Sequence, residues 1–173
     1  VALMSGFASL RRFNAAFAAH YGLSPTALRR QGASSPQEGV QVTLGWRPPY
    51  DVGAMLRFFG QRAIEGMERA DPAAGTLART LRLGDSAGWV ACTFDEAACR
   101  VRVRVAEALA PCLPRVIARV RAWLDLDADP AAIHAVLGAD FPHAAGLRVP
   151  GTLDGFELAV RAVLGQQITV AAA

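Results

Sequence analysis

The stretch that decides the fold runs from residue 88 to residue 105 and reads G-W-V-A-C-T-F-D-E-A-A-C-R-V-R-V-R-V. It contains two strand-like runs, Gly88–Phe94 and Ala98–Val105, and in the second of them valine alternates with arginine, so the stretch predicts two strands. Asp95-Glu96 between the two runs suits the turn of a hairpin. We therefore expect an antiparallel pair of strands here.

The second strand of this pair places Arg100, Arg102 and Arg104 on one face, because side chains alternate along a strand. Two interpretations fit the pattern. The arginines could form a platform for nucleic acid, or they could be the solvated face of a half-buried sheet. Antiparallel sheets commonly leave one face in water, so the second interpretation is favoured and we assign these residues no site role.

Runs with alternating or helical spacing of apolar residues flank the hairpin on both sides. They predict, in chain order, a strand, a helix, a strand and two helices: Val40–Trp46, Asp51–Ile64, Thr76–Leu83, Leu109–Leu126 and Asp129–Gly138. Strands followed by helices predict an α+β fold in which a small antiparallel sheet subdomain carries a packed helix.

The C-terminal part, residues 147–167, reads L-R-V-P-G-T-L-D-G-F-E-L-A-V-R-A-V-L-G-Q-Q. Asp154 is a good N-cap residue, and Glu157 stands at the spacing of a capping box. Residues at helical spacing predict a stripe buried on one face of this helix: Phe156, Ala159, Val160, Val163 and Leu164. Gly165 is expected to end the helix, so that two glutamines follow where the chain turns.

The N-terminal head is basic. Residues 1–37 contain Arg11, Arg12, Arg29 and Arg30 and no acid, whereas the whole chain has a net charge of +3 and contains no lysine. This asymmetry hints at nucleic acid as a partner of the head alone.

Arg11 and Arg12 lie on a predicted helix, residues 9–21, opposite an apolar stripe formed by Leu10, Phe13 and Phe17. Two interpretations again stand. The arginines could belong to the solvated face of an ordinary amphipathic helix, or they could approach a DNA groove and bind guanine edges or phosphates. The pattern alone favours the first. Residues 31–38, Q-G-A-S-S-P-Q-E, are predicted to be a linker.

Composition excludes several classes of protein. No run of 18 apolar residues is present, so we predict no transmembrane helix and no association with membranes. The three histidines and three cysteines lack the spacing of metal ligands, which predicts no metal site, no iron–sulfur site and no cofactor. Cys92 and Cys99 could face each other across a hairpin, but buried thiols in a reducing cytoplasm are the favoured interpretation.

Two motifs resemble known families. From about Val40 onward, and above all in L-R-x-P-G-x-x-D-x-F-E-x-x-V-R-A-x-L-G-Q-Q, the chain resembles AlkA-type 3-methyladenine DNA glycosylases. The head, with G-F-x-S-x-x-x-F-N-x-x-F followed by Y-G-L-S-P-T-A-L-R-R, resembles the end of an AraC/XylS-type helix-turn-helix domain. Together they resemble an Ada–AlkA-like fusion, and for Arg11 and Arg12 they turn the preference toward DNA.

The resemblance implies four parts. Residues 1–30 would be the end of the helix-turn-helix domain, 31–38 the linker, 39–110 the sheet subdomain, and 111–173 the first helices of a truncated helical glycosylase domain. The chain begins with Val1 rather than Met, which suggests that it was cut from a longer protein.

The resemblance also implies site residues. A glycosylase of this type extrudes an alkylated base from duplex DNA, and the position that fills the gap falls on Gln167, with Gln166 before it. An aromatic cleft that attracts the cationic base would use Phe58, with Arg62 one turn later. The alternatives are a solvated glutamine at a helix turn and a core phenylalanine beside Phe59.

The catalytic carboxylate of the family belongs to a helix-hairpin-helix segment that nothing in residues 1–173 matches, so we expect no catalytic residue in this chain and no activity from it alone. The expected parent is a cytoplasmic, nucleoid-associated monomer. Its expected partners are double-stranded DNA with alkylated bases and, through the head, promoter DNA. The alternative is a non-enzymatic AraC-type transcription regulator whose body only binds DNA or an effector.

Overall fold

The structure, a computed structural model, describes residues 39–167 together with Ser9, Arg11, Arg12 and Ala15. The predicted apolar stripe of the head, the segment that leads to residue 30 and the predicted linker 31–38 lie outside the described residues.

The described body is α+β, as the sequence predicts. Its elements follow the order β1 Val40–Gly45, α1 Val52–Gly60, β2 Glu68–Asp71, β3 Thr76–Leu83, β4 Ser86–Asp95, β5 Arg100–Val105, a 3-10 helix Glu107–Cys112, α2 Leu113–Trp123, α3 Pro130–Leu137 and α4 Gly155–Gln167. The five strands form one sheet in the order β1-β5-β4-β3-β2, and every neighbouring pair is antiparallel.

The central hairpin forms where the 88–105 stretch predicts it. Asp95 Oδ1 accepts a hydrogen bond from the Ala98 backbone N–H at 3.1 Å, which closes the turn between β4 and β5. The turn continues through Cys99, whose φ is +49°, so β5 begins at Arg100 instead of the predicted Ala98. Valines and arginines then alternate strictly between buried and exposed positions along β5.

The sheet therefore has an inner face, which is buried, and an outer face, which is exposed. The inner face shares one apolar core with α1 and α2, and Trp123 of α2 packs against Phe59 of α1 at 5.1 Å between ring centroids. Gly88 of β4 makes room for the 3-10 helix, because a Cβ there would stand 2.7 Å from the Ala106 Cβ.

Helix α1 is shorter than predicted. It begins after Asp51, which caps it by accepting from the Ala54 N–H at 2.7 Å, but it ends at Gly60 and not at Ile64. Ile64 instead enters a turn, where its carbonyl accepts from the Met67 and Glu68 N–H groups. That turn leads into β2, a strand that the pattern does not predict, because its sequence E-R-A-D lacks apolar alternation. Pairing with β3 stabilises it as a short, charged edge strand.

Proline divides the helix predicted over Leu109–Leu126. Pro111 lacks an N–H donor and lies in the 3-10 helix, while Pro114 stands in the first turn of α2, where proline is favoured. The helix predicted over Asp129–Gly138 forms as α3, with Asp129 accepting from two backbone N–H groups at 3.1 Å.

Helix α4 differs from the sequence prediction in two respects. Its apolar stripe was expected to be buried, yet Phe156 is 81% exposed and Val160, Val163 and Leu164 are exposed as well, because no other described element covers them. Gly165 was expected to end the helix, but α4 continues to Gln167. A glycine inside a helix costs only about 1 kcal/mol relative to alanine, so a glycine alone does not end one.

Candidate functional site

The L-R-V-P-G motif ties the sheet subdomain to the start of α4. Arg148 donates hydrogen bonds to the carbonyls of Arg47 and Pro49, the latter at 3.0 Å, and its Cζ lies 4.9 Å from the centroid of the Tyr50 ring. The guanidinium thus holds the turn that precedes α1. The arginine of the motif has a structural role in this position.

The second half of the motif runs close to α2. The Gly151 N–H donates to the Trp123 carbonyl at 2.9 Å, and a Cβ on Gly151 would come within 2.3 Å of the Ala122 carbonyl oxygen. Only glycine permits this approach. Two residues after Gly151, the Leu153 carbonyl accepts a hydrogen bond from Arg119, and the Leu153 side chain is buried. The segment before α4 is therefore fixed to the body at several points.

Asp154 caps α4 as predicted. Its Oδ1 accepts from the Phe156 N–H at 2.9 Å and from the Glu157 N–H at 3.1 Å. The Glu157 N–H, followed by the Phe156 N–H, lowers the pKa of Asp154 because both donate to the ionised carboxylate. The predicted capping box is only half formed, since the Asp154 N–H donates to Thr152 Oγ1 and not to the Glu157 side chain.

Glu157 is instead part of a closed ring of four charged side chains, which we call the ion ring. Arg79 of β3 binds Glu68 of β2 at 2.9 Å and Glu157 at 2.7 Å. Arg161, one turn after Glu157 on α4, binds Glu68 at 3.0 Å and Glu157 at 2.6 Å. Two arginines and two glutamates alternate around the ring, so its charges balance.

The ion ring is the main feature that sequence reasoning misses. Arg79 is only 6% exposed, and its Nε also donates to the Thr80 carbonyl at 3.1 Å. Its signal was available in the pattern, because Arg79 occupies an inward-facing position between Leu77 and Leu81 on β3. A buried charge needs charged partners. One partner is Glu68 on β2, whose sequence lacks a strand pattern, and the other is Glu157 on α4, which is distant in sequence.

Arg161 also reaches the end of the segment that carries the predicted base pocket. Its Nη1 donates to the Arg62 carbonyl at 3.0 Å. The ring thus anchors α4 beside the residues that follow α1. This contact joins the two segments that carry the predicted site residues. One segment carries Phe58 and Arg62, and the other carries Gln166 and Gln167.

Phe58 and Arg62 lie against each other. The Arg62 Cζ stands 4.0 Å from the centroid of the Phe58 ring, and Arg62 Nη1 donates to the Phe58 carbonyl at 3.3 Å. Phe58 is half-buried, and it meets the ring of Phe59 edge-on at 5.5 Å between centroids. Phe59 is the phenylalanine of this pair that packs against the core, so Phe58 presents a partly open aromatic face that already attracts a cation.

The two glutamines lie in the last turn of α4. Gln166 is exposed, and Gln167 is the last described residue of the helix. The structure thus places the predicted gap-filling position at the end of an anchored helix, not in a turn after a glycine break. That Gln167 fills the gap left by an extruded base stays a prediction.

The described part of the head is helical at Arg11 and Arg12. Both side chains are exposed, and the Arg12 N–H donates to Ser9 Oγ at 3.2 Å, which is the contact of an N-cap. The residues of the opposite apolar stripe lie outside the described residues.

The acidic stretch near residues 125–129 is occupied by structural contacts. Asp125 accepts from the Val149 N–H at 3.1 Å, Asp127 pairs with Arg121, and Asp129 caps α3. Within the described residues, no group of three or more His, Cys, Asp or Glu side chains is arranged to hold a metal ion.

The three cysteines are free thiols, so the alternative of a Cys92–Cys99 disulfide is not observed. Burial raises the pKa of the Cys92 thiol to about 12. Among the described residues, none of the helices is long and apolar enough to span a membrane.

The family model of the AlkA N-terminal domain matches residues 41–154. The DNA-3-methyladenine glycosylase 2 of Escherichia coli (strain K12) is 36% identical over 131 residues, which cover 76% of this chain and 46% of that protein. A probable bifunctional transcriptional activator/DNA repair enzyme AlkA of Mycobacterium tuberculosis (strain CDC 1551 / Oshkosh) is 36% identical over 185 residues, covering 100% of this chain and 36% of that protein. The chain spans less than half the length of these relatives.

Proposed function

Because the chain belongs to the AlkA N-terminal domain family, we propose that it is part of a DNA glycosylase that excises alkylated bases of the 3-methyladenine type in base-excision repair. The observation that carries the proposal is the family match over residues 41–154, which ends at the cap of α4. The similarity to a named glycosylase extends over 76% of the chain and supports the same activity for the intact protein.

The proposed division of labour gives this chain the positioning of α4. A glycosylase must rotate the damaged base out of the duplex and occupy the space that it leaves. We propose that Gln167 enters this space and that Gln166 contacts the neighbouring DNA. The 146–154 segment and the ion ring support this role, because they fix the helix that carries both residues.

The extruded base would stack against Phe58. Alkylated purines such as 3-methyladenine carry positive charge, and an aromatic face attracts a cation. The guanidinium of Arg62 already lies on that ring, so an arriving cationic base would replace one cation by another. The carboxylate that assists cleavage of the glycosidic bond would come from the part of the parent that corresponds to the remainder of the relatives.

The same remainder would cover the exposed apolar residues of α4. Contiguous apolar surface on a protein commonly marks an interface. Because the catalytic carboxylate would come from that remainder, we expect the chain by itself to be inactive. The intact protein would act as a monomer on nucleoid DNA in the cytoplasm.

We further propose that the head is the end of an AraC/XylS-type DNA-binding domain in which Arg11 and Arg12 face promoter DNA. The similarity of the whole chain to a relative whose name includes a transcriptional activator supports this fusion.

The test is base release by the intact parent protein. We expect it to release 3-methyladenine from methylated duplex DNA, while the 173-residue chain releases none. If the intact protein binds promoter DNA but releases no alkylated base under the same conditions, the glycosylase proposal fails and the non-enzymatic regulator is favoured.

A further inference from the structure

The outer face of the sheet carries a second arrangement of arginines that the proposed glycosylase site does not use. Three arginines stand at alternate exposed positions of β5. Two more are exposed on the same face, farther across the sheet on β2 and β3. These residues are Arg100, Arg102, Arg104, Arg69 and Arg82.

The strand register places a floor of small residues between the two groups of arginines. Arg104 is paired with Ala91, Ala91 with Ala78, and Ala78 with Arg69, so one row crosses the sheet from β5 to β2. Three spacings of about 4.8 Å separate the two arginines, which gives a channel about 14 Å wide.

The next row has threonines at the two central positions and ends on β2 at Asp71, which is paired with Thr76. Arg102 is paired with Thr93, and Thr93 with Thr76. Alanine and threonine side chains are short, so a ligand can approach the backbone of the sheet between the arginines. The result is a channel bordered by three arginines on β5 and by Arg69, next to Asp71, on β2.

The charge of the outer face is unbalanced. Among its strand residues, five arginines stand against two acids, Asp71 and Asp95. Both carboxylates are engaged at turns, where Asp71 accepts from the Ala74 N–H at 3.0 Å and Asp95 from the Ala98 N–H at 3.1 Å. Two further acids, Asp85 and Glu96, also lie in turns, at the ends of the strands. Five arginines against two acids leave the strand residues of the outer face with three more positive than negative charges.

Trp89 adds an aromatic border to one end of the channel. Its side chain is 37% exposed, and the Arg104 Cζ stands 5.7 Å from its ring centroid. A large apolar ring left in water beside a guanidinium is typical of surfaces that bind other molecules.

We infer that the outer face binds the sugar-phosphate backbone of duplex DNA without reading its sequence. Arginine guanidinium groups bind phosphate oxygens, and neutralising several phosphates releases condensed counterions. Because α1 and α2 cover the inner face, this DNA contact is made on the opposite side of the sheet from those helices. An acidic protein is the competing partner, and the experiment below separates the two.

The experiment measures binding of the 173-residue chain to an undamaged random-sequence duplex over a range of salt concentrations. All versions carry Arg11→Gln and Arg12→Gln, which removes the two arginines proposed to face promoter DNA, and the rest of the head is the same in every version. Arg69→Gln and Arg102→Gln, alone and combined, test the two borders of the channel. Arg115→Gln is the matched control, because Arg115 is an exposed arginine on α2 and its loss changes the net charge equally.

Each outer-face substitution is expected to weaken binding and to reduce the slope of log K against log salt by about 0.9, and the double variant by about 1.8. The control should leave the slope unchanged. Equal slopes for the outer-face and control variants would overturn the inference, and so would binding of polyglutamate in place of DNA. Because the duplex is undamaged and nothing is cleaved, this result is independent of whether the parent is a glycosylase.

Discussion

Replacing Arg79 with methionine tests the ion ring. Methionine keeps the aliphatic volume of the side chain but removes the guanidinium that contacts Glu68 at 2.9 Å and Glu157 at 2.7 Å. Both carboxylates would remain in place with only Arg161 to share between them. Losing one partner of a buried ion pair lowers the free energy of unfolding by about 3–5 kcal/mol. Since Arg161 remains and Glu157 is partly exposed, we expect the lower end, about 3 kcal/mol.

The assay is urea unfolding of the 173-residue chain, with Arg47→Met as the control. Arg47 pairs with Asp129 at 3.5 Å, and the two side chains are 65% and 51% exposed, so that its loss should cost about 0–1 kcal/mol. A cycle with Glu157→Gln should give a coupling energy of about 1–2 kcal/mol, because the two side chains are in direct contact.

The ring should also affect α4 locally. Relative to the wild type, Arg79→Met should increase the exchange rate of the α4 amide hydrogens more than that of the β4 and β5 amide hydrogens. The helix loses its contact with β3, while the sheet keeps its hydrogen-bond ladder. If Arg79→Met destabilises the chain no more than Arg47→Met, or if α4 exchanges at the wild-type rate, the ring does not hold the helix and our account of its role is wrong.

Four further predictions concern the parent protein and the caps. In the parent, Gln167→Ala should slow single-turnover excision from duplex DNA, with a smaller effect on a mispaired lesion, whereas Gln167→Leu should retain activity if filling space is what matters; an unchanged rate for Gln167→Ala would refute the assignment. Phe58→Leu should reduce excision of a cationic methylated base by roughly two- to fivefold, from about 0.5–1 kcal/mol of cation–π energy at a partly open ring from which the base displaces Arg62, and affect a neutral base less in the same assay. Arg11→Ala should weaken specific promoter binding by about 1–3 kcal/mol if the residue reads a base edge, and all DNA equally if it contacts only phosphate, as titrations with specific and random duplexes will distinguish. Backbone donors lower the pKa of Asp154 below its ordinary value of 3.8, so its stabilisation of α4 is present above about that pH and is lost as the pH falls through the folded-state pKa; Asp154→Asn should retain the cap but remove this part of the acid unfolding curve.

The sequence by itself determined the local architecture of this protein. Strict alternation of valine and arginine allows β5 only one buried face, and the antiparallel sheet follows from such strands joined by short turns. Asp51, Asp129 and Asp154 each cap a helix that the pattern predicts to begin there, because a cap depends only on a side chain and the backbone two or three residues later. The contact between Phe58 and Arg62 is of the same kind, since residues four apart meet on a helical path.

Only the tertiary structure decided the features that depend on distant partners. β2 has no apolar alternation and exists as a strand because β3 pairs with it. The apolar spacing of α4 predicts a buried face, but burial requires a second surface, and no described element supplies one. Arg79 can be buried only because Glu68 and Glu157 arrive from separate elements and balance its charge. A pattern in one segment specifies which face would be buried, whereas the fold determines what is there to cover it.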